Sequence, residues 1–284
     1  MPPIVTLTTD FGTRDAFVGV MKGVLLARAP EARIVDLTHE VPPQDVRAGA
    51  YLLRGAAPYF PAGTIHVAVV DPGVGTARSA LVVATASAFF VVPDNGLVSL
   101  VAPRTAVRGV WDVSRSRHRL PTVSRTFDGR DVFAPIAAAL ARGVAPDTLG
   151  RRVSSIRRLA PLRLRRERTR TVGEVVWRDR FGNLITNVSA ADLPTAGGVG
   201  RLPPEPGGAR RRRADARRTF RVRALSVTIG THVLPLLDSY ADVPRGRAVA
   251  LVNSDDLVEI AVNQGSAAAT LGLDRGARVI VGRG

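Results

Sequence analysis

Short apolar, β-branched runs alternate with helical patterns through the first half of the chain. Residues 4–9, 34–37, 65–70, 81–84, 89–92 and 107–113 predict strands. Several are apolar throughout, as a sheet covered on both faces requires. After the first of them, Phe17, Val20, Met21, Val24 and Leu25 fall at i, i+3, i+4, i+7 and i+8, the stripe of one helix. A second helix is expected after Asp45 as its N-cap, and a third over 131–142, with Asp131 as N-cap and Gly143 as stop. This alternation defines an α/β layered domain. Beyond the middle of the chain the helical period fades. Residues 172–177, 184–188, 224–229, 249–252, 257–262 and 279–281 predict short strands punctuated by Gly, Pro, Asn and Asp, which suits a small barrel or sandwich.

The expected architecture is therefore an amino-terminal α/β/α layered domain over 1–160, an arginine-rich linker over 161–171 and a carboxy-terminal small β-barrel domain over 172–284. A basic insertion is expected near 203–218. With 284 residues, 45% of them hydrophobic and 23% charged, the chain can bury a sizeable core. Its longest nearly apolar run, 80–92, falls short of the roughly 20 residues a membrane span needs, so no membrane partner is expected. The first residues carry no charged stretch followed by a long apolar one, which points to a cytoplasmic protein. The absence of cysteine removes disulfides, thiolate metal sites and thiol nucleophiles.

A net charge of +16 raises a nucleic-acid reading, and its distribution argues against it. Residues 151–170 hold nine arginines and one glutamate, and 210–223 hold eight arginines and one aspartate, leaving the rest of the chain nearly neutral. Neither segment interleaves the aromatic residues that base stacking uses, Phe220 excepted, so solvated surface is the preferred reading. The histidines at 39, 66, 118 and 232 show no metal-ligand spacing, and no metal site is expected. His39 reads as a packed or capping histidine.

Candidate chemistry lies in loops that follow strands, where ligands collect on open α/β sheets. Thr9-Asp10-Phe11-Gly12-Thr13-Arg14-Asp15 offers a carboxylate that could accept two ribose hydroxyls, or simply a turn capping the first helix. Asp71-Pro72-Gly73-Val74-Gly75 with Arg78 can bring a guanidinium back to a carboxylate. Such a pair could orient a water or be a structural ion pair, and spacing leaves both open. Asp128-Gly129 reads as a turn before the third helix. Asp179-Arg180-Phe181-Gly182-Asn183 is another turn, whose Asn amide could read a purine edge.

Together with Pro93-Asp94-Asn95-Gly96-Leu97, Gly129-Arg130-Asp131-Val132-Phe133-Ala134-Pro135, Asn253-Ser254 and Ala261-Val262-Asn263-Gln264-Gly265, these loops resemble the S-adenosylmethionine hydroxide adenosyltransferases. These are adenosine-forming hydrolases related to the fluorinase and chlorinase. The resemblance implies an α/β domain followed by a β-barrel, and a homotrimer with active sites between subunits. It implies hydrolysis of S-adenosylmethionine to adenosine and methionine by water attacking ribose C5′. The sulfonium makes methionine a good leaving group, so S-adenosylmethionine is a substrate and no cofactor is expected. By family position Asp10 would hold the ribose hydroxyls, Asp15 and Asp179 the methionine amine, and Ser254 its carboxylate. Asn183 would hold the adenine, with Phe181 and the backbone near Val262 and Gln264 completing the substrate site. Asp71 and Arg78 would position and activate the water.

Two departures bear on that expectation. Gln44 stands where the fluorinase has an adenine-stacking tryptophan. Asp128 stands where the hydrolases have a histidine before Gly-Arg-Asp, so by family position the water-activating set would be Asp71, Arg78 and Asp128, with Asp128 either acting as a base or leaving the set weakened. A bound halide 4 Å from a carboxylate at Asp71 would be repelled by about 4 kcal/mol at an effective dielectric near 20. Asp71 therefore favours water over halide. A binder that has lost turnover through Asp128, and a halogenase, are the alternatives.

Overall fold

The computed structural model describes residues 2–195, 198–199 and 225–283. The 203–218 insertion and the 210–223 arginine run lie outside them. The chain divides into two compact units, Met1–Ala160 and Pro161–Gly284.

In the first unit, strands β1 (Ile4–Thr9), β2 (Arg33–Thr38), β3 (Thr64–Val69), β4 (Ala80–Ala84), β5 (Ala88–Pro93), β6 (Gly109–Asp112) and β7 (Arg151–Arg152) form one sheet. Its order is β2-β1-β3-β5-β4-β6-β7. The β1, β2, β3 and β5 neighbours run parallel, and β4, β6 and β7 continue antiparallel. Helices α1 (Phe17–Arg28) and α3 (Ala134–Ala141) bury Met21, Leu25 and Ile136 with Val5, Leu7 and Val67 on one face. Helix α2 (Val46–Ala56) approaches Val70 and Leu97 through Gly49. Asp45 caps α2 as expected, accepting from the Ala48 N–H at 2.9 Å. A short helix α4 (Pro146–Leu149) precedes β7.

The connections β1–α1–β2 and β2–α2–β3 place β2 and β3 on opposite sides of β1. That makes the carboxyl ends of β1 and β3 a switch point, and Asp10 and Asp71 stand just beyond them.

The third helix differs from its expectation. Asp131 is not its N-cap: it sits inside a wide π turn, Gly129–Phe133, that precedes α3. Pro135 has no N–H to donate back to the Asp131 carbonyl, and that carbonyl instead accepts from Leu120 N–H at 2.9 Å. The strand expected over 107–113 is shorter, Gly109–Asp112.

The second unit contains β8 (Arg165–Arg166), β9 (Arg170–Arg178), β10 (Leu184–Ser189), β11 (Pro194–Thr195) with its partner β12 (Gly198–Val199), β13 (Leu225–Ile229), β14 (His232–Leu237), β15 (Ala248–Val252), β16 (Leu257–Val262), helix α5 (Ala267–Leu271) and β17 (Arg278–Arg283). The order β10-β16-β15-β14-β13-β17-β9 closes through β9–β10 pairing into a seven-stranded barrel. Leu184, Val227, Leu236, Val258, Ile260 and Val281 fill it. Strand β14 is missing from the sequence reading because Pro235 breaks its pattern. Residues 232–235 pair with β13 and 236–237 with β15, so the missing N–H falls where the strand changes partner.

Part of the 151–170 run is built into these units. Arg152 lies over the Trp111 ring at 5.9 Å, Arg158 donates to the Ala102 carbonyl, and Arg166 Nε donates to Asp192 at 2.6 Å.

Candidate active site

The Asp71–Arg78 loop folds on itself. Gly73 N–H donates to Asp71 Oδ1 at 3.2 Å, and Arg78 Nε donates to the same oxygen at 3.0 Å. Arg78 Nη2 donates to Asp71 Oδ2 as well, making the pair bidentate. Gly75 is required here: its φ is +78°, and a Cβ would stand 2.6 Å from the Arg125 carbonyl oxygen. Gly75→Ala is expected to displace the loop and lower turnover at least about tenfold, since a left-handed non-glycine residue alone costs roughly 1–2 kcal/mol. Unchanged kcat in this variant would show that the loop tolerates the shift.

The tertiary structure brings a third group to this pair. Asp128 Oδ2 accepts from Arg78 Nη2 at 2.5 Å, across 50 residues of sequence. The side chains of Asp71 and Arg78 are 5% and 6% exposed and that of Asp128 is 18% exposed, so two carboxylates share one guanidinium away from bulk water. The Arg78 guanidinium also lies 5.3 Å from the Phe133 ring centroid. The set thus gathers two acidic side chains around one basic one.

Asp71, Asp128 and Asp10 line one cleft of about 330 Å³. Asp10 Oδ2 accepts from Gln44 N–H at 2.8 Å, and Gln44 holds a left-handed backbone at φ +65° to make that bond. Phe127 packs edge to face on Phe11 and Phe17, which are tilted against each other, with centroids 5.1–5.9 Å apart, giving the cleft an apolar wall. Asp15 is exposed and does not line this cleft. Behind the loop His39 is packed as expected, with Nδ1 2.9 Å from Thr9 Oγ1 and Nε2 3.1 Å from Asp36.

Asp131 is buried and has a structural task. Burial alone would raise its pKa, but bonds from Arg130 and from Ser124 N–H outweigh it and hold the carboxyl below the usual range. It thereby ties the 120–127 segment to the turn that presents Asp128.

In the barrel unit, Asp179 closes its own turn. Its Oδ1 accepts from Phe181 N–H and Asn183 N–H, both at 2.9 Å, and its Oδ2 accepts from the Asn183 amide at 2.8 Å. Asn183 is buried and Phe181 is 76% exposed. Ser254 is exposed at the tip of the β15–β16 hairpin, Gln264 is exposed with φ +54° in the turn between β16 and α5, and Val262 is buried at the end of β16. Sequence reasoning passed over Glu259, which is buried and accepts from Tyr240 Oη at 2.8 Å and Asn253 Nδ2 at 3.1 Å. Its signal was a charged residue within the otherwise apolar run 257–262.

An α/β domain with an acidic cleft at its switch point, followed by a closed β-barrel, defines a two-domain protein with a small-molecule-sized cleft on its first domain. The family models for the SAM hydroxide adenosyltransferase N-terminal and C-terminal domains match residues 5–150 and 173–280. The chain belongs to the SAM hydroxide adenosyltransferase family. It is 43% identical to the (R)-S-adenosyl-L-methionine hydrolase of Thermus thermophilus, covering 97% of this chain and 98% of the relative. It is 38% identical to the protein of the same name from Salinispora tropica, covering 99% and 98%. A crystal structure of an uncharacterized conserved protein from Thermotoga maritima superposes with a TM-score of 0.82 at 31% identity, covering 99% of this chain and all of that one.

Proposed function

We propose that this enzyme hydrolyses S-adenosyl-L-methionine to adenosine and L-methionine by attack of water on ribose C5′. The observation that carries the reading is the buried Asp71–Arg78–Asp128 set in the same cleft as Asp10. Asp10 accepts the ribose hydroxyls and the phenylalanine wall packs against the nucleoside. Asp71, fixed by Arg78 and Gly73, accepts a proton from the water as its oxygen forms the bond to C5′. The C5′–S bond breaks with its electron pair going to sulfur, and methionine departs neutral at sulfur. The proton then passes to solvent. Because the leaving group is a sulfonium, the step uses no metal or cofactor. By family position Asp15, Asp179 and Ser254 receive the amino-acid end, and Asn183 with the backbone near Val262 and Gln264 receives the adenine, with Phe181 also in the substrate site.

The test is incubation of purified protein with each sulfonium epimer of S-adenosylmethionine in ¹⁸O-water. Adenosine carrying ¹⁸O at the 5′ oxygen, together with unlabelled methionine, is expected. Unlabelled adenosine, or no adenosine, refutes the reading.

Asp128 is part of the proposed water-activating set. Asp128→His is expected to add an ionisation near pH 6.5 to the kcat/KM profile, because imidazole titrates there. If rate and profile both stay at the wild-type values, Asp128 stands outside the set.

Self-association as a homotrimer with sites between subunits belongs to the same reading. Val20 and Leu26 on the outer side of α1 are exposed, with Val35 of β2, and Lys22 on that helix is paired with Asp36 at 2.5 Å. A helix face of this kind suits burial against another subunit. Sedimentation is expected to give three times the 30.1 kDa chain mass; a monomer removes this part. No helix among the described residues is long and apolar enough to cross a membrane, and a cytoplasmic location accords with the proposed substrate.

A further inference from the structure

Glu259 is a carboxylate that the proposed chemistry leaves unused, yet it is 4% exposed and fully bonded. It lies on β16 opposite Leu251 of β15 and Ile185 of β10, on the side of the strand that bears Ala261 and not the barrel interior. A buried charge at such a position costs stability unless its bonds do something for the structure.

Those bonds run to the loops at one end of the barrel. Asn253 Nδ2 donates to Glu259 Oε2, which fixes the amide so that Asn253 Oδ1 accepts from Asp255 N–H at 3.0 Å and Leu257 N–H at 3.1 Å. Residues 253–257 are the hairpin whose tip is Ser254, and Asp256 adopts φ +64° within it. The other oxygen of Glu259 accepts from Tyr240 Oη, anchoring the Tyr240–Asp242 turn. Burial pushes the Glu259 carboxyl up against the lowering bonds from Tyr240 and Asn253, and the charges of Asp179 and Asp255 add to the rise, so the Asp179 turn is also within electrostatic reach. The same burial and the bond to Glu259 push the Tyr240 phenol up to about 12, leaving it a donor at neutral pH.

We infer that Glu259 is a positioning residue for the amino-acid end of the substrate, holding the Ser254 hairpin through Asn253 and the Tyr240 turn through its phenol. This rests on the functional reading above, which assigns Ser254 and Asp179 to the methionine moiety. Glu259 touches no substrate; it sets the loops that do. Leucine at 259 would meet Leu251 across the strand pair and keep the barrel, but would leave Asn253 free to rotate. Glutamine would keep an acceptor for Asn253 and turn its amide to the Tyr240 oxygen, which can accept.

Calorimetric titration of the full chain with L-methionine and with adenosine separates the possibilities. In Glu259→Leu the methionine Kd is expected to rise about tenfold, the loss expected when a charge-assisted bond is removed, with adenosine affinity within about twofold. Glu259→Gln is expected to recover most of the methionine affinity. KM for S-adenosylmethionine should rise with the methionine Kd while kcat holds. Unchanged methionine binding in Glu259→Leu, equal loss of both ligands, or a glutamine variant as weak as the leucine one overturns the inference. A wild type that releases no adenosine refutes the functional reading, whereas the methionine titration still decides the role of Glu259.

Discussion

Asp71→Asn is expected to lower kcat/KM for S-adenosylmethionine by about 10²–10⁴-fold, the usual contribution of a positioned general base, while thermal unfolding stays within a few degrees of wild type. The contrast follows from the geometry. Asparagine keeps an oxygen for Arg78 Nε and Gly73 N–H, so the loop retains those two bonds and loses the one from Arg78 Nη2 to Oδ2. Arg78 keeps a carboxylate partner in Asp128, so no buried charge is left alone. What disappears is the proton acceptor beside the cleft. Initial rates set beside a melting curve check both halves. A variant that turns over like wild type removes Asp71 from the chemistry, and one that unfolds many degrees lower makes the loop structural first.

The second large effect is on stability in mild acid. His66 is fully buried, stacked on Phe90 at 5.1 Å with Phe60 edge-on at 5.7 Å, and Thr6 Oγ1 lies 2.8 Å from its Nδ1. Burial pushes its pKa down from 6.5 to about 4. Between those values the unfolded chain binds a proton that the folded chain does not. The contribution is therefore fully present above pH 6.5 and is lost as pH falls toward 4, amounting to about 3 kcal/mol at most. His118, lowered by burial and by neighbouring arginines, acts in the same sense, and Glu259, raised by burial, in the opposite one. The depressed carboxylates Asp36, Asp112 and Asp131 act below their ordinary value of 3.8, and Glu167, held down by its bond from Arg170, below 4.5. Urea midpoints from pH 7.5 to 4.5 for wild type and His66→Asn isolate the one group, since the other contributions cancel. Asparagine keeps a polar partner for Thr6 and removes the titration. Parallel curves for the two proteins would refute it.

Both effects depend on where the chain places a side chain, and the sequence foretold that unevenly. The strands and the first two helices were legible because burial on a sheet or helix face forces a period on the residues themselves. Asp45 was legible as a cap, and Asp71 with Arg78 as a pair, because each closes a bond within a few residues. The motif order also carried the family. Pro235 hid β14, since the exchange of partners that makes its missing N–H harmless is a property of three strands. Asp131 misled because an aspartate before a helix usually caps it, and here the carboxyl turns instead to Ser124 and Arg130.

The sequence by itself determined the two-part α/β and barrel architecture, the acidic loops at strand ends and the family, all of which rest on local pattern and short-range bonding. Only the tertiary structure decided that Asp128 shares Arg78 with Asp71, that Asp10 is held by the strained Gln44 backbone, and that Glu259 ties the Ser254 hairpin to Tyr240. Each of those contacts joins residues that are remote in sequence or set on different elements. Their energies depend on burial and distance, which exist only once the sheet and the barrel have closed.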